Sequence, residues 1–192
     1  MTDWGNYHRN SADLPPRPLL VSALAELGSV GHAIDIGCGS GRDTLYLLEA
    51  GWSVEALDNN RAALDLLIER TPRHLQTRLI CTAVSMEDVD LHPARLVNAA
   101  FSLPFCQPQR GPALWDKIAQ AIEPSGMFVG QFFGPGDEWA SSGLWTVSRA
   151  ELERMLSGWT VLQIAEFEGL RTTSAGESKQ SHIFDVIARS RH

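Results

Sequence analysis

The chain has 192 residues, enough for one domain with a sizeable core, and its 44% hydrophobic and 20% charged content is that of an ordinary globule. A formal net charge of −7, with Lys117 and Lys179 the only lysines and the arginines scattered, excludes the clustered basic surface that a nucleic acid partner requires. No apolar run reaches membrane-spanning length and the opening MTDWGNYHRN lacks the apolar centre of a signal peptide, so no membrane partner and a cytoplasmic location are expected.

The elements follow in chain order. Residues 1–17 are polar and proline-rich with interleaved Trp4 and Tyr7, which predicts an N-terminal arm or lid on a single domain spanning 1–192. PLLVSALAEL places apolar residues at helical spacing behind a proline, and Gly28 ends that helix. HAIDI reads as a buried strand and SGRDTLYLLEAG as a helix with Leu45, Leu47 and Leu48 inward. WSVEALD is a second strand, and NNRAALDLLIERT a helix running from an asparagine cap to the Thr71–Pro72 break. RLICTAV and ARLVNAAF are the third and fourth strands, with polar SMEDVDLHP between them. ALWDKIAQAIEP predicts a helix ended by Pro124, and GMFVGQFFG a fifth strand. GPGDEWASSGLW reads as loop, and SRAELERMLSG as a helix opened by a capping box. WTVLQIAEFEG and SHIFDVIARS are two final strands joined by a loop from Leu170 to Gln180, with no helix between them, so they pair antiparallel. Alternating strands and helices give a mostly parallel sheet covered on both faces, with one reversed strand at the end.

Chemistry concentrates in AIDIGCGSGRDTLYLLEAGWSVEALD. A dinucleotide fingerprint needs a third glycine where its first helix packs close to the strand beneath a pyrophosphate, and Arg42 stands there instead. Gly37, Gly39 and Gly41 still provide a tight strand-to-helix turn with exposed backbone. Asp58 ends the second strand, where a carboxylate can accept hydrogen bonds from both hydroxyls of a ribose. A glycine turn and a ribose acid without a phosphate site point to a nucleoside ligand that is not a nucleotide.

IDIGCGSGRDT followed by VEALD resembles motif I and the second-strand acid of class I S-adenosylmethionine-dependent methyltransferases. The likeness extends over nearly the whole chain, through VSMED, NAAFSLPF, PSGMFVGQFFG and SKQSHIFDVIARS. It implies a Rossmann-like α/β fold with a seven-stranded sheet whose last strand is antiparallel, and S-adenosyl-L-methionine as cofactor. On the same resemblance Asp35, Gly37, Gly39 and Gly41 line the methionine half, and Asp58 holds the ribose with Asn59 beside it. Met86 lies against adenine, with Glu87 near its amino group or the Met86 amide serving it. Ala99 and Phe101 face the sulfonium. The arm is expected either to fold over the methionine end, with Tyr7 closing the pocket and Arg9 near the carboxylate, or to stay packed on the sheet edge.

The expected activity is methyl transfer to a small-molecule acceptor. Enzymes acting on exocyclic base nitrogens carry two prolines after the fourth strand, and Asn98-Ala99-Ala100-Phe101 lacks both. Phe101, Phe105, Phe132, Phe133, Trp139 and Trp145 follow strand ends and are expected to wall the acceptor pocket, some of them as core. Candidate bases are Tyr7, His8 and His182, none singled out as catalytic. A tellurite- or thiopurine-like enzyme with a soft acceptor would want arginines in the pocket, for which Arg9, Arg42 and Arg171 are candidates. A non-catalytic S-adenosylmethionine-binding subunit and a dehydrogenase are the other readings. Cys38, Cys81 and Cys106 show no CxxC or zinc spacing, so three reduced thiols and no metal site are expected.

Overall fold

The computed structural model describes residues 14–172, 176 and 178–191. Its first helix, α1 (Pro18–Leu27), starts on the proline and ends at Gly28, whose φ of 69° is the left-handed conformation that closes a helix most easily without a side chain. Strand β1 (His32–Ile36) follows, then α2 (Arg42–Glu49), β2 (Ser53–Asp58), α3 (Arg61–Arg70), β3 (Leu79–Ala83) and β4 (Ala94–Ala99). The second half comprises α4 (Gly111–Ala121), β5 (Ile122–Phe133), α5 (Arg149–Met155), β6 (Trp159–Thr172) and β7 (Ser178–Ser190). Asn60 caps α3 through its side chain, and Ser148 and Glu151 form the expected capping box on α5.

All seven strands join one sheet in the order β3-β2-β1-β4-β5-β7-β6, with β7 antiparallel to both of its neighbours and the others parallel. The chain leaves β1 toward one edge and returns to β4 on its other side. This reversal opens a crevice at the carboxyl ends of β1 and β4, where open α/β sheets bind ligands.

Strand alternation sorts the core into two layers. Ala33, Val54, Leu96, Met127 and Val129 pack with Leu20 and Ala23 of α1 and Leu47 and Leu48 of α2. Ile34, Val97, Ala99 and Phe128 pack on the opposite face with Trp115 and Ile118 of α4 and Leu152 of α5. Leu45 of α2, expected inward, is only partly buried against the first layer.

Two expected boundaries move. Helix α4 stops at Ala121 rather than at Pro124, and the proline lies inside β5. The register there jumps from Ala94↔Ile122 to Leu96↔Met127, with Ser125 at φ 62°, so the proline sits in an irregularity where no ladder hydrogen bond is asked of it. Both ends of the connection between the last two strands are strand: pairing continues to Thr172↔Ser178, because ladder bonds can form wherever two chains run side by side, whatever the composition.

Among the described residues no helix is long and apolar enough to cross a membrane. Trp4, Tyr7, His8 and Arg9, and with them most of the expected arm, lie outside the described residues.

Candidate active site

The turn after β1 needs its glycines. Gly37, Gly39 and Gly41 have φ of 69°, 56° and 85°, a region costly for any side chain. The N–H groups of Gly37 and Cys38 both donate to the Leu57 carbonyl, at 2.7 and 3.0 Å, tying the turn to β2. Asp58 completes the tie: one carboxylate oxygen accepts the Gly39 N–H and the other the Asn60 N–H, each at 2.8 Å. Beside this turn lies a cavity of about 480 Å³, within the size range of small-ligand sites.

One wall of the cavity is acidic. Asp35 and Asp43 are both buried, and a single amide touches both: Asn98 Nδ2 donates to Asp35 at 2.8 Å and lies 3.5 Å from Asp43. Thr44 Oγ1 donates to Asp35 at 2.5 Å. Arg17 donates to Asp43 through its backbone N–H at 3.0 Å and its guanidinium at 3.1 Å. Burial, and then the Asp43 charge, push the Asp35 carboxyl up to about 7. Between pH 3.8 and that value the folded chain therefore holds a proton that the unfolded chain has lost, so this group's contribution to stability falls as pH rises through 7. The ligand-free protein is expected to melt at a lower temperature at pH 8 than at pH 6, and Asp35→Asn to flatten that difference, as differential scanning fluorimetry would show.

The opposite end of the cavity holds Val84, Ser85, Met86 and Glu87 after β3. Glu87 is already engaged, accepting from the Ser85 hydroxyl and, at 3.0 Å, from the Gln107 N–H. Partial burial pushes its carboxyl up, but those hydrogen bonds outweigh it and leave the group below the ordinary glutamate range. It stays an anion that locks the loop after β3 to the loop after β4.

Phe101, just after β4, also lines the cavity. Its φ of 56° turns the chain sharply after β4, and its N–H donates to Gln131 Oε1 at 3.1 Å. Two guanidiniums stand over its ring, those of Arg171 at 5.0 Å and Arg17 at 5.7 Å. Phe133 meets Phe101 edge-on at 6.5 Å, Trp139 lies 6.3 Å from Phe133, and Phe105 lies 6.2 Å from Trp139. Lys179, ion-paired to the buried Asp137, sits 3.9 Å above the Trp139 ring. An aromatic arc with three cations on it thus extends from the cavity wall at Phe101.

Of the residues singled out from sequence, Asp35, Gly37, Gly39, Asp58, Asn59, Met86, Glu87 and Phe101 line the cavity. Gly41 does not: it caps α2, where a Cβ would come within 2.2 Å of Leu67. Ala99 is corrected to Ala100, because alternation turns Ala99 into the core against α4 and α5. Phe132 and Trp145 likewise pack with Trp115 and Phe128 in the core, whereas Phe133 and Trp139 belong to the arc. His182 is unsuited to be a base: its Nδ1 accepts the Gly136 N–H at 3.2 Å and its Nε2 faces Glu166 at 2.9 Å. Arg42 reaches back to the Pro15 carbonyl at 2.6 Å while still lining the rim. Arg17, Asp43, Asn98 and Lys179 were not legible as site residues; Asp43, in the first turn of a helix following a glycine turn, offered the one local signal.

A family model described as tellurite resistance protein TehB matches residues 6–178. The carboxy-S-adenosyl-L-methionine synthase of Citrobacter koseri is 33% identical over 104 residues, covering 50% of this chain and 40% of that protein. The synthase of Shigella boydii serotype 4 is 32% identical over 121 residues, covering 57% and 47%. The chain thus spans less than half the length of these curated relatives. TehB from Haemophilus influenzae superposes with a TM-score of 0.77 at 19% identity, over 89% of this chain and 61% of that one. The N-methyltransferase NodS from Bradyrhizobium japonicum superposes at 0.74 with 14% identity, over 98% of each chain. The 1,6-didemethyltoxoflavin-N1-methyltransferase of Burkholderia thailandensis does so at 0.70 with 22% identity, over 92% and 78%. These structures share the fold.

Proposed function

The chain belongs to the TehB tellurite resistance family of class I S-adenosylmethionine-dependent methyltransferases, and on that premise we propose that it transfers a methyl group to a small, negatively charged acceptor. The observation that carries this reading is the placement of the Arg17 and Arg171 guanidiniums over the ring of Phe101, which lines the cavity whose turn is tied to Asp58. The residues suit the cofactor. Asp58 lines the cavity, and its oxygens, each accepting one backbone N–H, keep lone pairs for a ribose beside the glycine turn. The acidic wall of Asp35 and Asp43 suits the cationic end of an amino acid, and Val84 with Met86 offers an apolar slot for adenine.

When bound, S-adenosylmethionine supplies a methyl carbon already activated by a positive sulfur. The chain's task is alignment and exclusion of water, which can be worth roughly 7–11 kcal/mol. Phe133, Trp139 and Phe105 close an arc of rings behind the acceptor. Arg171 and Arg17 hold the acceptor's negative charge. An anionic acceptor attacks through a lone pair and needs no proton removed, which suits a site where His182 is fully engaged. A cytoplasmic setting agrees with the free thiols of Cys38, Cys81 and Cys106.

The test is S-adenosylhomocysteine formation from S-adenosylmethionine with tellurite, selenite, a small thiol and an uncharged amine as acceptors. Turnover is expected with the anions, and Arg171→Met is expected to raise KM for them about tenfold, the loss of one charged contact. Turnover confined to the uncharged amine would overturn the anionic acceptor. Cofactor binding with no turnover on any acceptor would favour a non-catalytic subunit.

A further inference from the structure

The acidic wall carries more charge than it can neutralise. Two carboxylates, Asp35 and Asp43, are each 2% exposed and share the Asn98 amide, yet the guanidinium of Arg17 is bonded to Asp43 alone. Asp35 receives only neutral donors, Thr44 and Asn98. Of the other titratable groups lining the cavity beside this wall, Cys38 stays a neutral thiol, raised by burial and by the carboxylates of Asp35 and Asp58, and Arg42 donates to the Pro15 carbonyl. A second buried anion this close to the first needs a cation or a proton. Both carboxylates line the cavity, so a cationic ligand group can reach them.

Resting on the cofactor reading above, we infer that Asp35 carries a proton while the cavity is empty and surrenders it to solvent when the cofactor's ammonium arrives, so that binding is an exchange of one cation for another. The balance is simple. The protonated Asp35 carboxyl loses H⁺ to buffer, and its carboxylate then faces the ammonium, with no net change of charge on the wall. The raised titration of Asp35, to about 7, places the exchange within an accessible pH range. Affinity therefore rises with pH up to that point. Burial, and then the charge of Asp43 held by Arg17, keep Asp35 protonated when the site is empty.

The exchange is read by calorimetry of S-adenosylhomocysteine binding at pH 6.0 in phosphate and in imidazole buffer, whose ionisation heats differ. Close to one proton is expected to be released at pH 6.0 and almost none at pH 8.5, with affinity falling about tenfold per pH unit below 6. 5′-Methylthioadenosine has the same nucleoside without the ammonium and is expected to release none. Asp35→Asn is expected to bind S-adenosylhomocysteine more weakly at pH 8 and to release no proton at either pH. Should that variant fail to fold, the comparison of the two ligands on the native chain decides. Equal binding heats in both buffers, or the same proton release with 5′-methylthioadenosine, would overturn the exchange while leaving the cofactor assignment intact. Failure of S-adenosylhomocysteine to bind at any pH would overturn both.

Discussion

Replacing Gly37 with alanine is expected to destabilise the fold and abolish cofactor binding together. The residue sits at φ 69°, and an added Cβ would lie 2.4 Å from Ser102 Cβ. Ser102 has little room to retreat, because its hydroxyl is anchored to the Ile36 carbonyl at 2.6 Å inside the protein. The left-handed backbone costs about 1–2 kcal/mol for an alanine and the overpacking about 1–3 kcal/mol more. Relief requires the turn to move away from the loop after β4, which is the cavity wall on that side. Urea denaturation should show a loss of about 2–5 kcal/mol on those terms. Calorimetry should show no saturable binding of S-adenosylhomocysteine. A stable Gly37→Ala protein with unchanged affinity would mean that the turn does not form the floor of the site.

Asp58→Ala is expected to cost less stability and nearly as much affinity. Its carboxylate accepts two backbone N–H groups, from Gly39 and Asn60, so the side chain both shapes the turn and faces the ribose position. A hydrogen bond to a charged group is worth roughly 1.5–3 kcal/mol, and removing the acceptor also leaves the Gly39 N–H unpaired. The dissociation constant for S-adenosylhomocysteine should rise by about one to two orders of magnitude on that scale. Asp58→Asn separates the two roles, since its one remaining oxygen can keep the Gly39 contact without the charge. An intermediate affinity is expected of it. Unchanged affinity in Asp58→Ala would remove the ribose assignment.

The parts of the site that were legible in the sequence are local. Gly37, Gly39 and Asp58 line the cavity through spacing along one strand-turn-helix-strand unit, and local spacing is what a sequence displays. The parts that escaped are long-range. Arg17 meets Asp43 across 26 positions, and Lys179 meets Asp137 across 42. Nothing in the polar stretch around Arg17 marks it as facing a carboxylate. Ala99 failed for a different reason. The strand was evident, but its phase was not: a shift of one residue exchanges core for cavity, and the turn at Phe101 then re-aims the chain. The same parity separates Phe132, in the core, from Phe133, in the arc, although the two are adjacent. The fold was easier, because alternation of strands and helices and a helix-free final connection constrain topology without any knowledge of contacts. The composition of residues 170–180 misled only about how far the last two strands extend.

The central claim is that the cavity beside Asp58 takes a nucleoside joined to an amino acid and rejects a dinucleotide, since Arg42 stands where a pyrophosphate would need a glycine. The most direct test is a pair of titrations at pH 8, S-adenosylhomocysteine and NADH against the same 192-residue chain. Saturable one-to-one binding of S-adenosylhomocysteine with no measurable heat from NADH is the predicted result. Saturable NADH binding, with S-adenosylhomocysteine unable to compete, would contradict it.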